Sequence, residues 1–210
     1  MTADHIAEFH DLPLQPHPTC EPGPLHSLSV SGALDASGRI TVDCLLQGEL
    51  LRLRLPEAAR TPQRRDDLWR HTCVELFARR GTAEAYAEFN FSPSGDWAMY
   101  RFEGYRRGQS RPELAQPGIT LQALGPGQLR LQARAQLPNA ADSATHIDAT
   151  GAATAAWQLG FAAVIEASDG TLAYWATRHP GARPDFHAPE NFSLGLVPDR
   201  GVPRSRATTP

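Results

Sequence analysis

Thr72-Cys-Val-Glu-Leu-Phe-Ala-Arg-Arg-Gly-Thr-Ala-Glu-Ala-Tyr-Ala-Glu-Phe-Asn-Phe91 decides the fold class. Two apolar-rich runs flank Arg80-Gly81-Thr82-Ala83, and Gly81 stands where a type II′ turn takes its glycine. With Gly81 and Thr82 as the loop, Val74 pairs with Phe89, Leu76 with Ala87 and Ala78 with Ala85, an apolar face that reads as core. The other face pairs Cys73 with Asn90, Glu75 with Glu88, Phe77 with Tyr86, and Arg79 with Glu84 as a cross-strand ion pair. A register slipped by one residue would send the apolar set to solvent and is disfavoured.

Outward from this hairpin, Ser92-Pro93-Ser94-Gly95 has the composition of a four-residue hairpin loop. The next strand sets Ala98, Tyr100 and Phe102 on one face and Trp97, Met99 and Arg101 on the other. If the larger apolar set marks the core, Trp97 and Arg101 join Glu75, Glu88 and Asn90 on the mixed face. A second hairpin turns at Asp169-Gly170 and carries Trp175 on its return strand.

Elsewhere 17 Gly and 18 Pro punctuate the chain too often for a three-turn amphipathic helix. Strands are expected at residues 27–33, 39–47, 50–55, 72–79, 84–91, 97–102, 119–124, 128–136, 159–167, 171–177 and 192–197. Within the third of these Leu51, Leu53 and Leu55 alternate with Arg52 and Arg54. Residues 140–156, rich in Ala and Thr, read as one or two helical turns or a loop. The expectation is an all-β fold, a two-sheet antiparallel β-sandwich of about ten to eleven strands. It forms a single domain over residues 1–197, followed by a flexible tail over 198–210.

With 20 basic against 23 acidic residues the net charge is −3, which gives polyphosphate no electrostatic attraction, so no nucleic acid is expected as a partner. No apolar run approaches the ~18 residues of a membrane helix, and no membrane association is expected. The N-terminus lacks a basic start and an apolar run of signal-peptide length, which points to a cytoplasmic location. Cys20, Cys44 and Cys73 are odd in number and widely spaced, against a disulfide framework or zinc knuckle. His179, Asp185 and His187 share a Pro-rich loop, but with His71 they make no recognised metal-ligand spacing, and no metal site is expected. Nucleophile-elbow, phosphate-loop and dinucleotide patterns are absent.

The chemistry that remains rests on Glu75 and Glu88. Two carboxylates opposed across a hairpin, at about 5 Å between Cβ atoms, repel, and one tends to stay protonated. They fit a solvated face with basic neighbours, a binding site in which Arg101 or a ligand compensates them, or a glycoside hydrolase with its two acids on adjoining strands. Trp69, before one strand, and Trp175, at the end of another, are placed to stand at a sandwich rim, where an indole stacks on the apolar face of a sugar ring.

Taken together, Asp67-Leu-Trp-Arg-His-Thr-Cys-Val-Glu-Leu-Phe77, Tyr86-Ala-Glu-Phe-Asn-Phe-Ser-Pro-Ser-Gly95, Trp157-Gln-Leu-Gly-Phe161 and residues 169–176 resemble the DOMON superfamily, and within it the family 9 carbohydrate-binding-module branch. The match runs in order from Leu68 to Val197. The resemblance implies a β-sandwich that binds sugars or, in other members, heme through Met, His or Lys. It implies a two-tryptophan slot at Trp69 and Trp175, with Glu75 and Asn90 as polar contacts. Glu88 departs from the pattern, standing where the branch has a basic residue. The reading that follows is a binding module rather than an enzyme, for a small carbohydrate or similar polar ring, without a cofactor. Trp69 and Trp175 would stack on the ligand, and Glu75, Glu88, Asn90 and Arg101 would hydrogen bond to it.

Overall fold

The computed structural model describes residues 5–35, 37–138 and 157–196. Among them are eleven strands: β1 (His5–Pro16), β2 (Leu25–Asp35), β3 (Arg39–Gly48), β4 (Cys73–Arg80), β5 (Tyr86–Phe91), β6 (Trp97–Phe102), β7 (Gly118–Gly125), β8 (Gln128–Gln136), β9 (Trp157–Glu166), β10 (Leu172–Ala176) and β11 (Leu194–Leu196). The expected all-β sandwich forms. Every pairing is antiparallel, in the order β6-β5-β4-β9-β10-β1-β2-β3-β8-β7, with β11 on β9 beside the end of β10. β1 pairs with β2 over most of its length and with β10 at Gln15 and Pro16, so one strand belongs to both halves of the sandwich. This strand was not expected from the sequence. The proposed helical turns at 140–156 and the tail at 198–210 lie outside the described residues, among which no helix is long and apolar enough to cross a membrane.

The two halves enclose the main core. Val30, Ile40, Val42 and Leu131 from β2, β3 and β8 meet Leu76, Phe89, Met99, Phe161 and Ile165 from β4, β5, β6 and β9. These side chains are almost wholly removed from water, at roughly 1.5–3 kcal/mol each. On β2, β3 and β8 buried positions alternate with more accessible ones, the period of a sheet with one wet face. β5 is instead buried at every position, and β4 at all but Arg79 and Arg80. Their outer face carries a second apolar cluster, with Phe77, Tyr86, Tyr100, Phe102, Phe186 and Phe192. The 3-10 turns Leu68–Arg70 and Pro189–Asn191 pack on this half of the sheet. Glu75, Glu88 and Asn90 on the outer face of β4 and β5 are therefore buried too.

The β4–β5 hairpin has a β-turn at Gly81 (φ 48°), where Ala83 N–H donates to Arg80 O at 2.9 Å, but β5 begins only at Tyr86, so the loop is longer than the expected two residues. The strand register differs from expectation by two residues. Val74 lies opposite Phe91, Glu75 opposite Asn90, Leu76 opposite Phe89 and Phe77 opposite Glu88. A shift of two leaves every side chain on its expected face, so alternation alone cannot detect it. It replaces a directly opposed pair of carboxylates by carboxylate against amide, which moves the two acids to a diagonal and lessens their repulsion. The expected Arg79–Glu84 pair is lost with it. Arg79 lies opposite Tyr86 with its guanidinium 4.5 Å from the Phe192 ring centre, and Glu84 pairs with Arg107 at 3.3 Å.

The strand expected at Leu50–Leu55 is a 3-10 turn, Leu50–Arg52, followed by a single bridge from Leu53 to Ala167. Glu49 O and Leu50 O accept local hydrogen bonds from Arg52 and Leu53, and Leu51 is wholly exposed. Leu53 is buried and Leu50 and Leu55 pack partly buried against the core, so these leucines are anchored without forming a half-buried strand.

Candidate functional site

The outer face of β4, β5 and β6 forms the floor of a cavity of about 870 Å3. Glu75, Glu88, Tyr100 and Phe102 reach it from these strands, Val164 and Tyr174 from β9 and β10. The segment before β4 contributes Asp66, Asp67 and Trp69, the loop after β6 Arg106, Gln109 and Arg111, and the segment after β10 Arg183, Pro184, Phe186 and His187.

Glu75 and Glu88 sit on one face of adjoining strands, diagonal rather than opposed, and are 3% and 5% exposed. Glu88 Oε1 accepts a hydrogen bond from Asn90 Nδ2 at 2.6 Å, and Asn90 Oδ1 lies 3.7 Å from the Cys73 thiol, which donates to it. Glu75 Oε1 is buried with no hydrogen-bond partner among the described residues. Burial, then the neighbouring Glu88 charge, push the Glu75 carboxyl well above the usual carboxylate range, against the pull of Arg106. Burial raises Glu88 too, opposed by the Asn90 hydrogen bond and Arg106. The pair therefore holds protons that exposed glutamates would have lost.

His187 closes one side. Tyr86 Oη accepts from the Arg106 backbone N–H at 3.2 Å and donates to His187 Nδ1 at 2.6 Å. His187 Nε2 faces Glu88 Oε2 at 3.6 Å. Burial, with Arg106 nearby, pushes the imidazole down to about 4, so at neutral pH it is uncharged, with its proton on Nε2. Burial raises the Tyr86 phenol to about 12, which keeps it a donor.

Arg106 takes a left-handed backbone (φ 51°), uncommon for a residue with a side chain, and is clamped there. Its guanidinium donates to Asp185 Oδ1 at 2.8 Å, and Tyr105 Oη donates to Asp185 Oδ2 at 2.5 Å. This clamp ties the loop after β6 to the segment bearing Phe186 and His187. Across the cavity Tyr100 Oη donates to Asp66 Oδ1 at 2.7 Å, and Arg111 pairs with Asp66. Trp69, 46% exposed, rides on the 3-10 turn that follows Asp67 (φ 61°), with the Arg70 guanidinium 5.3 Å from its ring centre.

Of the residues named from sequence, Trp69, Glu75 and Glu88 converge on this cavity, and Asn90 lies beneath Glu88. Trp175 does not. It is 3% exposed in the main core, and its indole N–H donates to Pro22 O at 3.2 Å. Its neighbour Tyr174 faces the cavity instead, because successive strand residues point to opposite faces. Arg101 also lies on the far face, alternating with Tyr100 and Phe102, and its backbone bridges to Ser110. The larger apolar set did not mark the core here because both faces of β6 are buried. Trp97 and Met99 pack in the main core, while Tyr100 and Phe102, set opposite Glu88 and Tyr86, share the cavity face.

Sequence reasoning missed Tyr86, Tyr100, Arg106 and Tyr174 as site residues. Tyr86 and His187 meet across 101 residues of chain, and no local pattern signals that contact. Of the residues read as a possible metal set, Asp185 is engaged by Tyr105 and Arg106. His179 Nε2 meets Gln15 O at 2.8 Å, and His71 Nδ1 lies 2.7 Å from Glu166. No three His, Cys, Asp or Glu side chains gather as a metal site among the described residues. Heme finds no fitting axial ligand in this cavity. Met99 faces the opposite core, and His187 has one nitrogen bonded to Tyr86 and the other turned to Glu88.

No family model and no curated protein matches the chain. Among solved structures it resembles a Bacteroides uniformis protein described provisionally as carbohydrate-binding. The TM-score is 0.51 at 13% identity, covering 80% of this chain and 82% of that one. It also matches a family 9 carbohydrate-binding module from Caldicellulosiruptor kristjanssonii in complex with cellotriose, at TM-score 0.37 and 15% identity, covering 74% and 71%. The first of these likenesses shows a shared β-sandwich fold.

Proposed function

We propose that the chain is a non-catalytic binding module of the family 9 type within the DOMON superfamily, and that it takes a small carbohydrate on the outer face of β4, β5 and β6. The observation that carries this reading is Glu75, which lines the cavity floor and whose buried Oε1 has no hydrogen-bond partner among the described residues. A protonated carboxyl offers a ligand hydroxyl both a donor and an acceptor, and leaving such a group unsatisfied costs about 1–3 kcal/mol. Trp69 at the rim supplies an exposed indole for an apolar ring face, and Tyr174 replaces Trp175 as an aromatic group from the far side. The likeness to carbohydrate-binding structures supports the same reading.

The test is calorimetric titration of the protein with monosaccharides and disaccharides, together with the Glu75→Gln and Trp69→Ala variants. Saturable binding that either variant weakens supports the reading. A flat titration across the panel, or binding indifferent to both variants, overturns it.

A further inference from the structure

Among the described residues no arginine forms an ion pair with either acid on the cavity floor. Arg106, the nearest positive charge that acts on both, is committed to Asp185 at 2.8 Å, and Arg111 is committed to Asp66. His187, 3.6 Å from Glu88, is uncharged. Around this floor stand Trp69, Tyr100, Phe102, Tyr174 and Phe186. Aromatic faces carry negative quadrupole density and attract ammonium groups when solvent is displaced. An ammonium has three donors and no acceptor, which suits Glu75 Oε1, an acceptor with nothing to accept from.

From this arrangement we infer that the cavity selects an amino sugar, its protonated amine seated against Glu75 and Glu88 and its ring against Trp69. The inference rests on the carbohydrate reading and narrows it to one charge class. Binding displaces a proton from the floor: the ligand ammonium and the Glu75 carboxylic acid give an ammonium–carboxylate pair, and one proton passes to solvent. No covalent bond to carbon forms or breaks.

The other groups facing Glu75 and Glu88 do not supply this proton exchange at neutral pH. Cys73 on β4 and Tyr86 on β5 are pushed upward and stay protonated, as does Tyr100 on β6. Asp66, Asp67 and Asp185 form ion pairs with Arg111, Arg70 and Arg106 respectively. Tyr174 on β10 also faces the floor, and Arg183 is exposed to solvent.

The sign of the pH effect separates an amino sugar from a neutral one. An ammonium prefers ionised acids, so its affinity rises with pH while the amine stays protonated. A neutral sugar that accepts from the Glu75 carboxyl gains nothing from higher pH, or loses affinity. The experiment titrates the intact chain with glucosamine, galactosamine and mannosamine, their N-acetyl derivatives, the parent hexoses, and cyclohexylammonium as a bare amine. Titrations are run at about pH 5.5 and 7.0, in buffers of different ionisation enthalpy.

The expected result is that one aminohexose binds at least about tenfold tighter than its N-acetyl and hydroxyl counterparts at pH 7.0. Its affinity should rise from pH 5.5 to 7.0, with proton release read from the buffer dependence, and Glu75→Gln should shrink the preference to within about threefold while the variant's melting temperature shows it folded. Parent hexoses that bind as tightly as the aminohexoses, without proton release, overturn the amine inference and leave the carbohydrate reading standing. Binding of cyclohexylammonium with no sugar bound overturns the carbohydrate reading and the amino sugar with it. A flat response to the whole panel overturns both.

Discussion

Trp69→Ala and Trp175→Ala, changes that look equivalent in sequence, should have opposite consequences. Trp175 is 3% exposed, packs in the main core from β10, and donates its indole N–H to Pro22 O. Truncating a buried tryptophan costs about 3–5 kcal/mol. In a chain of this size each kcal/mol lowers the melting temperature by roughly 2–4 °C, so a loss of about 6–20 °C is expected. Trp69, 46% exposed on a 3-10 turn, should cost no more than about 1 kcal/mol, a shift within about 4 °C, and should weaken sugar binding. The assay is urea denaturation of both variants beside the parent chain, with a sugar titration of each that remains folded. A Trp175→Ala variant as stable as its parent would refute the core placement. Equal destabilisation by the two changes would refute the rim placement of Trp69.

Titration of the floor should be visible in stability. Glu75 and Glu88 hold protons more tightly folded than unfolded, so their contribution is complete below the unfolded glutamate pKa and is lost as pH rises through the folded values. His187, pushed down to about 4, acts in the opposite sense, its contribution growing from pH 4 to about 6.5. Replacing both acids (Glu75→Gln with Glu88→Gln) should therefore steepen the rise of unfolding free energy with pH in that window, as read by urea melts at half-unit steps. An unchanged slope would count against burial of the pair. Gly160→Ala should destabilise by about 1–3 kcal/mol in the same melts, because its Cβ would fall 2.5 Å from Asn191 O. Asn191 anchors the cavity wall through Phe186 O and Thr177, so the variant should also weaken sugar binding, and a well-folded variant with parental affinity would contradict that coupling. Cys44 and Cys73 are buried as free thiols and Cys20 is also unpaired, so a reducing agent should leave the melting temperature unchanged; a large drop would reveal a disulfide.

How far the site was legible in sequence differs residue by residue. Alternation placed Val74, Leu76, Phe89 and Phe91 in the core and Glu75, Glu88 and Asn90 on one shared face. It could not fix the pairing, because a two-residue shift of β5 preserves every face. On β6 the rule that the richer apolar face is the buried one had nothing to discriminate. Both faces of that strand are covered, one by the opposite half of the sandwich and one by residues such as Phe186, so Arg101 was misplaced. Trp175 and Tyr174 are adjacent aromatics on one strand, and only the tertiary fold decides which of them turns inward. β1 escaped notice because Pro13 and Pro16 interrupt it and its register shifts twice along β2. Arg106 and His187 come from loops, and their approach depends on a clamp at Asp185 that no local spacing announces.

The double allegiance of β1 has a consequence for how the chain reaches this structure. Pro16 pairs with Trp175 across about 160 residues, although β1 also pairs with β2 a short way downstream. During synthesis at roughly 5–20 residues per second, the β1–β2–β3 meander can form early, while the β10 partner of β1 is absent for about 8–30 s. Closure of the sandwich must wait for it. β4 likewise pairs with β9 over eight positions and cannot do so until β9 has emerged. Such long-range pairing favours slow folding, with the unpaired end of β1 and the open flank of β4 serving meanwhile as adhesive edges that invite aggregation.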